Sequence, residues 1–169
     1  MDDLVKAAMA KWPNVPDCRG WLGLDARGDW YLRDDACQAA GAFPRPKGSL
    51  LRHDKLREFI HRNYLAHADG RWYFQNGPQR VFVALEAAPL VLRLHDDGRV
   101  VDHTGETLGA TAAVLDEGGW LYLATPKGLG LVHSLDMDLA ADRLAKGDWA
   151  LEELPRADLP ARFGFVRQP

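Results

Sequence analysis

The sequence predicts an α+β fold with two related β-rich halves, each containing antiparallel hairpins and one principal helix, and an N-terminal helix besides. Three observations lead to this prediction. Apolar residues recur at helical spacing in three segments, and short apolar or aromatic runs between them are separated by turn residues. A Gly-x-Trp pattern also occurs four times. The 169 residues, with 47% hydrophobic content and a net charge of −3, have the composition of a globular domain.

The N-terminal helix is predicted from apolar residues that share one face. These residues are Leu4, Val5, Ala8, Met9 and Trp12. Asp2 or Asp3 can cap the start, and Pro13 ends the helix because proline lacks a backbone donor. We expect this helix to dock on one of the halves.

Two further helices are predicted, one in each half. The first covers residues 54–65, with Leu56, Phe59, Ile60 and Tyr64 on its apolar face and a mixed-charge face toward solvent. The second covers residues 137–146, followed by Gly147 in a position that favours a C-terminal cap. The proline-containing stretch 34–48 is expected to be the least structured internal segment.

Strands are predicted where the apolar period changes from helical to extended. They cover residues 21–24, 30–32, 71–75, 79–85, 90–95, 99–102, 120–125, 129–134 and 149–151. Asp97 and Gly98 predict a two-residue hairpin turn. Twelve residues are expected to be largely buried: Trp30, Phe59, Ile60, Trp72, Phe74, Val81, Val83, Leu92, Trp120, Tyr122, Leu131 and Leu144.

An internal repeat is predicted from two similar hairpins. Shifting the sequence by 48 residues aligns 70–74 with 118–122, so that Trp72 falls on Trp120. The halves are expected to divide near Pro89, into residues 1–89 and 90–169, and to share one core. A glycine before each tryptophan permits a tight turn, and the indole can seal the strand end.

These residues resemble an uncharacterised proteobacterial family of domains of unknown function with a duplicated α/β motif. The resemblance is carried by segments 28–32, 49–52, 56–59, 69–74 and 81–90, and it spans about residues 20–146. It implies a β-rich fold and a signalling or regulatory role, without catalytic residues. Residues 12–21 depart from the pattern, which indicates a distinct subfamily.

Motifs for catalysis and metal binding are weak in this sequence. His95, Asp96, Asp97 and His103 surround a predicted hairpin and are the only metal candidates, and a solvated polar turn explains them better. The two cysteines show no C-x-x-C spacing and are expected to be reduced thiols. We therefore expect no cofactor, and the enzyme question stays open, with a non-catalytic role favoured.

The paired hairpin turns are the favoured place for a ligand. The candidate residues are Trp72, Asn76 and Arg80 in the first hairpin and Trp120, Thr125 and Lys127 in the second. Arginine and lysine brought to one groove between the halves could hold a carboxylate or phosphate. The expected partner is thus a small anionic ligand or a protein.

The overall charge and the lack of a long apolar run exclude other classes. The sequence has no basic excess for nucleic acid, and no run of about 18 apolar residues for a membrane span. Its start does not resemble a secretory signal, so a cytoplasmic location is expected. The predicted function is a non-catalytic binding or regulatory module. A hydrolase with an unrecognised metal or cysteine site and a structural homodimer are the alternatives.

Overall fold

A computed structural model describes all residues, 1–169, and contains five α-helices and thirteen strands. The helices are α1 (Asp3–Lys11), α2 (Asp35–Ala40), α3 (Asp54–Arg62), α4 (Met137–Ala145) and α5 (Leu159–Phe163). The first six strands are β1 (Cys18–Leu24), β2 (Trp30–Leu32), β3 (Ser49–Leu50), β4 (Tyr64–Ala66), β5 (Trp72–Asn76) and β6 (Gln79–Leu85). The others are β7 (Leu90–Leu94), β8 (Val100–Asp102), β9 (Thr107–Leu108), β10 (Ala112–Leu115), β11 (Leu121–Ala124), β12 (Leu129–Val132) and β13 (Ala150–Glu153).

The chain forms two compact units, each built on one mixed sheet. The first unit contains Met1–Asp25, Asp29–Glu86 and Val166–Pro169, and the second contains Ala26–Gly28 and Ala87–Phe165. The sheet of the first unit has the order β3-β2-β1-β6-β5-β4, and that of the second has β13-β10-β11-β12-β7-β8-β9. The predicted α+β fold with two β-rich halves and an N-terminal helix is confirmed.

The two sheets share one topology, which confirms that the halves are related. In the first, β1 pairs antiparallel with β2 and parallel with β6; β7 pairs in the same way with β8 and β12. The register also agrees: Leu22 lies between Leu32 and Val83, and Leu92 lies between Asp102 and Val132. The second sheet adds β13 to this plan, and the first unit adds α3 between its third and fourth strands.

The predicted offset of 48 residues between the hairpins is wrong by one. Tyr73 pairs with Leu65, and the residue in the same place of the second sheet is Tyr122, 49 positions later, which pairs with Val114. Trp72 therefore corresponds to Leu121, and Trp120 corresponds to a turn residue. The pair Gly118 and Gly119 caused the error, because Gly119 is the one with positive φ (80°), as Gly70 is in the first hairpin (90°). A shift of one residue moves side chains to the opposite face of a strand.

Five hairpin turns have the same hydrogen bond, from the first residue of the turn to the carbonyl four residues later. They cover residues 25–29, 67–71, 95–99, 102–106 and 116–120. The fourth residue of each is a glycine with φ between 80° and 93°, a region that other residues rarely adopt. The turn at Asp97 and Gly98 is thus longer than the predicted two-residue loop. Three of the turns begin with an aspartate, and these carboxylates become buried polar anchors.

The helices differ from the predictions at three places. In α1, Val5 is buried, whereas Leu4 is 86% and Trp12 49% exposed, so the expected apolar face is only partly covered. The helix predicted over residues 54–65 ends early, at Arg62, because the chain continues as β4 and pairs with β5. The stretch 34–48, expected to be the least structured, contains α2. Asp34 caps the start of this helix, and its carboxylate accepts from the Cys37 amide at 2.8 Å.

Most of the predicted core is observed. Nine of the twelve expected residues are buried, while Phe59, Trp120 and Leu144 are half-buried. Strands β6, β7 and β12 are buried almost along their whole length, so both of their faces are covered.

Candidate functional site

A pocket of about 300 Å³ in the second unit combines an apolar floor with a polar rim; we call it the Trp120 pocket. Its floor consists of Leu121, Leu131 and Val132, all buried in β11 and β12. Trp120 and Met137 form its walls. This size and this mainly apolar lining are typical of small-molecule sites.

The indole of Trp120 contacts a hydrogen-bonded network of residues that do not line the pocket. The guanidinium of Arg156 lies 4.1 Å from the ring centre, which is a cation–π contact. Arg156 also donates from Nε to Asp116 Oδ2 over 2.8 Å, and the Tyr122 hydroxyl donates to the same oxygen over 2.9 Å. The other oxygen of Asp116 accepts from the backbone amide of Trp120. One buried carboxylate therefore positions the turn, the tryptophan and the arginine behind it.

The charge of Asp116 is maintained although its side chain is fully buried. Burial by itself raises the pKa of this carboxyl, but the hydrogen bonds from Arg156, the turn backbone and Tyr122 outweigh it, and the pKa lies below its usual range. The hydrogen bond to Asp116 in turn raises the pKa of Arg156. The support behind Trp120 is therefore an ion pair over the whole neutral range.

The rim of the Trp120 pocket is polar and accessible. Arg27 and Ser134 contribute to it, and both are exposed. Arg27 lies in the turn 25–29, of which residues 26–28 belong to the second unit. Ser134 follows β12. Arg27, Ser134 and Met137 are not among the site residues that the sequence predicts. Nothing in the local pattern of Arg27 distinguishes it from other turn arginines.

The other candidates of the second hairpin lie apart from this pocket lining. Lys127 donates to Asp102 Oδ2 over 2.6 Å and lies 2.8 Å from Glu106 Oε2, with only 21% of its side chain exposed. Thr125 donates from Oγ1 to the carbonyl of Gly128 and thereby closes the same turn. The charge of Lys127 is thus matched by carboxylates within its own unit.

The candidates of the first hairpin belong to the first unit. Trp72 is buried and packs on Tyr64 at 4.9 Å between ring centres, while Asn76 is exposed at the end of β5. Arg80 lies over Tyr73 at 5.0 Å, with Nη1 3.9 Å from Asp17 Oδ2. That Arg80 and Lys127 share one groove stays a prediction.

The weak metal candidates have other partners. Asp97 accepts from the side chain and backbone of Arg99 in its own turn, and His103 Nδ1 accepts from the Val91 amide at 3.2 Å. Neither His95 nor Asp96 adds to a cluster, since no three His, Cys, Asp or Glu side chains are arranged to hold a metal ion. Burial raises the pKa of the Cys18 thiol, which opposes formation of a reactive thiolate.

The fold and the pocket define a duplicated α+β domain of an uncharacterised class. A family model described as "Protein of unknown function (DUF2946)", under the name DUF2944, matches residues 1–169, and the chain belongs to this family. No curated protein matches it in sequence.

Two solved structures are similar to this chain. A DUF1285 family protein from Silicibacter pomeroyi DSS-3 has a TM-score of 0.52 at 15% identity, with 84% of each chain covered. A DUF1285 family protein from Shewanella baltica OS155 has a TM-score of 0.49 at 16% identity, covering 72% of this chain and 91% of that chain. The first similarity shows a shared fold.

None of the helices has the length and apolar character that a membrane span requires.

Proposed function

We propose that this protein is a non-catalytic binding module with a regulatory role, and that the Trp120 pocket holds its ligand. The ligand is a small molecule with a flat apolar body and one anionic end. The observation that carries this proposal is the combination of a buried apolar floor, a tryptophan wall fixed by Arg156, and a guanidinium at the rim.

The division of roles follows from the lining. The apolar body contacts Trp120 and Met137 and covers the floor, where burial of apolar area supplies most of the affinity. Arg27 contacts the anionic end. Because Arg27 is exposed, its contribution is small, and it selects between ligands more than it strengthens binding.

The test uses naphthalene-1-sulfonate as the anionic probe and naphthalene-1-methanol as its neutral match, with binding measured by calorimetry. Trp120→Ala is expected to weaken both probes about tenfold, because it removes one wall of the pocket. Arg27→Gln is expected to weaken the sulfonate about two- to fivefold and leave the alcohol unchanged. Arg99→Gln, an exposed arginine paired with Asp97 in another turn, is the matched control.

Two results would contradict the proposal. One is equal affinity of both probes for the wild type and for Trp120→Ala, which would place any binding elsewhere. The other is an equal loss of sulfonate binding in Arg27→Gln and Arg99→Gln. This result would mean that the change in net charge, and not the position of Arg27, causes the loss.

A further inference from the structure

A second cleft, of about 230 Å³, lies in the first unit beside α1 and the β5–β6 hairpin. Met9, Trp12 and Pro78 supply its apolar lining, and Asp17, Gln75 and Arg80 supply its polar lining. The indole of Trp12 is 49% exposed, so a flat group can reach it. We call this the Gln75 cleft; none of its residues lines the Trp120 pocket.

Two buried polar atoms in the lining have no partner. Gln75 is 2% exposed, and its Nε2 donates to the Gly77 carbonyl over 3.0 Å, which fixes the orientation of the amide. Its Oε1 is buried and accepts no hydrogen bond. The Nε of Arg80 is also buried and donates none. An unmet acceptor and an unmet donor are both unfavourable, since buried polar groups in native proteins are nearly always paired.

The two side chains that carry these atoms are neighbours in the sheet. Gln75 and Arg80 are directly opposite each other in the β5–β6 ladder, so their side chains leave the same face of the sheet. Directly opposite Cβ atoms in such a pair are about 5 Å apart. The lining of the cleft therefore contains, on two neighbouring side chains, an oxygen that lacks an N–H and an N–H that lacks an oxygen.

We propose that the Gln75 cleft binds a small molecule through the edge of a primary carboxamide or a lactam. The ligand N–H donates to Gln75 Oε1, its carbonyl accepts from Arg80 Nε–H, and its ring lies on Trp12. Primary amides and lactams carry N–H and C=O on the same side. A trans secondary amide points them in opposite directions.

Charge in the cleft separates this ligand from an anion. Asp17 Oδ2 lies 3.9 Å from Arg80 Nη1, so the arginine already has a carboxylate beside it. A carboxylate ligand would bring a second negative charge to this position and would offer no N–H to Gln75. A neutral amide meets both unpaired atoms without that repulsion.

The experiment titrates three probes of the same ring into the full chain labelled with ¹⁵N. Benzamide is expected to shift the side-chain signals of Gln75, Arg80 Nε and Trp12. N-methylbenzamide, a trans secondary amide, and benzoate are expected to bind at least tenfold more weakly. Equal affinity for the three probes, or no shift at Gln75 and Arg80 with benzamide, would mean that the cleft holds only water, and would overturn the proposal.

Two substitutions remove the two contacts separately. Gln75→Met removes the acceptor, and Arg80→Lys removes the Nε donor while keeping the charge next to Asp17. Each is expected to weaken benzamide about tenfold. Gln79→Met is the matched control, because the Gln79 amide donates to the Pro16 carbonyl and does not line the cleft. If one of the two variants does not fold, as shown by a poorly dispersed NMR spectrum, the other variant tests the proposal. An unchanged affinity for benzamide in a folded variant refutes it.

Discussion

Lys127 Nζ lies 2.6 Å from Asp102 Oδ2, and the Asp102 side chain is fully buried. The second oxygen of Asp102 accepts from the amides of Thr104 and Glu106, so that the carboxylate closes the turn 102–106. Lys127 comes from a different hairpin, the one between β11 and β12. Asp25 and Lys47 repeat this arrangement in the first unit at 2.9 Å. Each unit thus contains a salt bridge between a turn aspartate and a lysine that is distant in sequence.

Removing the lysine should destabilise the fold. We expect Lys127→Met to lower the free energy of unfolding by about 3 kcal/mol, because Asp102 would remain buried without its cation. Urea unfolding followed by circular dichroism measures this change. Arg99→Met, in the exposed pair with Asp97, is the control and should cost less than about 1 kcal/mol. Similar losses in the two variants would show that the pair with Asp102 behaves as a surface ion pair.

Acid should destabilise the protein through its buried carboxylates. Burial raises the pKa of Asp102, Asp116 and Asp136, but their cationic and backbone donors outweigh it, and each pKa lies below its usual range. A lowered pKa in the folded state contributes stability above the unfolded pKa of about 3.9, and this stability is lost as the pH falls through the folded value. The free energy of unfolding should therefore decline steeply below about pH 4.

Asp116→Asn tests this origin of the acid dependence. Its free energy of unfolding at neutral pH should be lower, and its decline between about pH 5 and pH 2 should be shallower than that of the wild type. Asp3→Asn, at an exposed carboxylate, serves as the comparison. An unchanged slope in Asp116→Asn would assign the acid sensitivity to other groups.

The register of the two hairpins makes their tryptophans unequal. Trp72→Ala should cost about 3–5 kcal/mol, because it leaves a cavity against Tyr64 in the core of the first unit. Trp120→Ala should cost only about 1–2 kcal/mol, since Trp120 is half-buried at a pocket wall. Equal losses, measured by urea unfolding, would support the offset of 48 residues rather than 49.

The turn glycines should be sensitive to substitution for a backbone reason alone. Gly98 has φ of +90°, and an added Cβ would meet nothing within 4 Å. Gly98→Ala should therefore cost about 1–2 kcal/mol through the left-handed conformation. Gly109→Ala, also in open space but without a positive φ, should change stability by less than about 0.5 kcal/mol. Thermal unfolding of both variants compares them directly.

Local patterns in the sequence predicted the fold class, nine of twelve core residues and most strands. These features depend on neighbouring residues: apolar period sets the type of element, and glycine sets the turn. The same reasoning could have found Asp102 and Asp116, since an aspartate three positions before a turn glycine can accept from the amides of its own turn. The place of Trp120 beside a hairpin turn also predicts it as a site residue.

The tertiary structure alone decided register, the end of α3 and both candidate sites. Tyr64 has helical spacing with Ile60, yet it lies in β4 because pairing with β5 outweighs local propensity. Arg27, Trp120 and Met137 are far apart in sequence and meet only through the fold. In the Gln75 cleft, the pairing of Gln75 with Arg80 follows from the local β5–β6 hairpin, but Trp12 joins them only through the fold. Local sequence does not encode these contacts. They depend on hydrogen bonds and packing between segments that come together only when the sheets form.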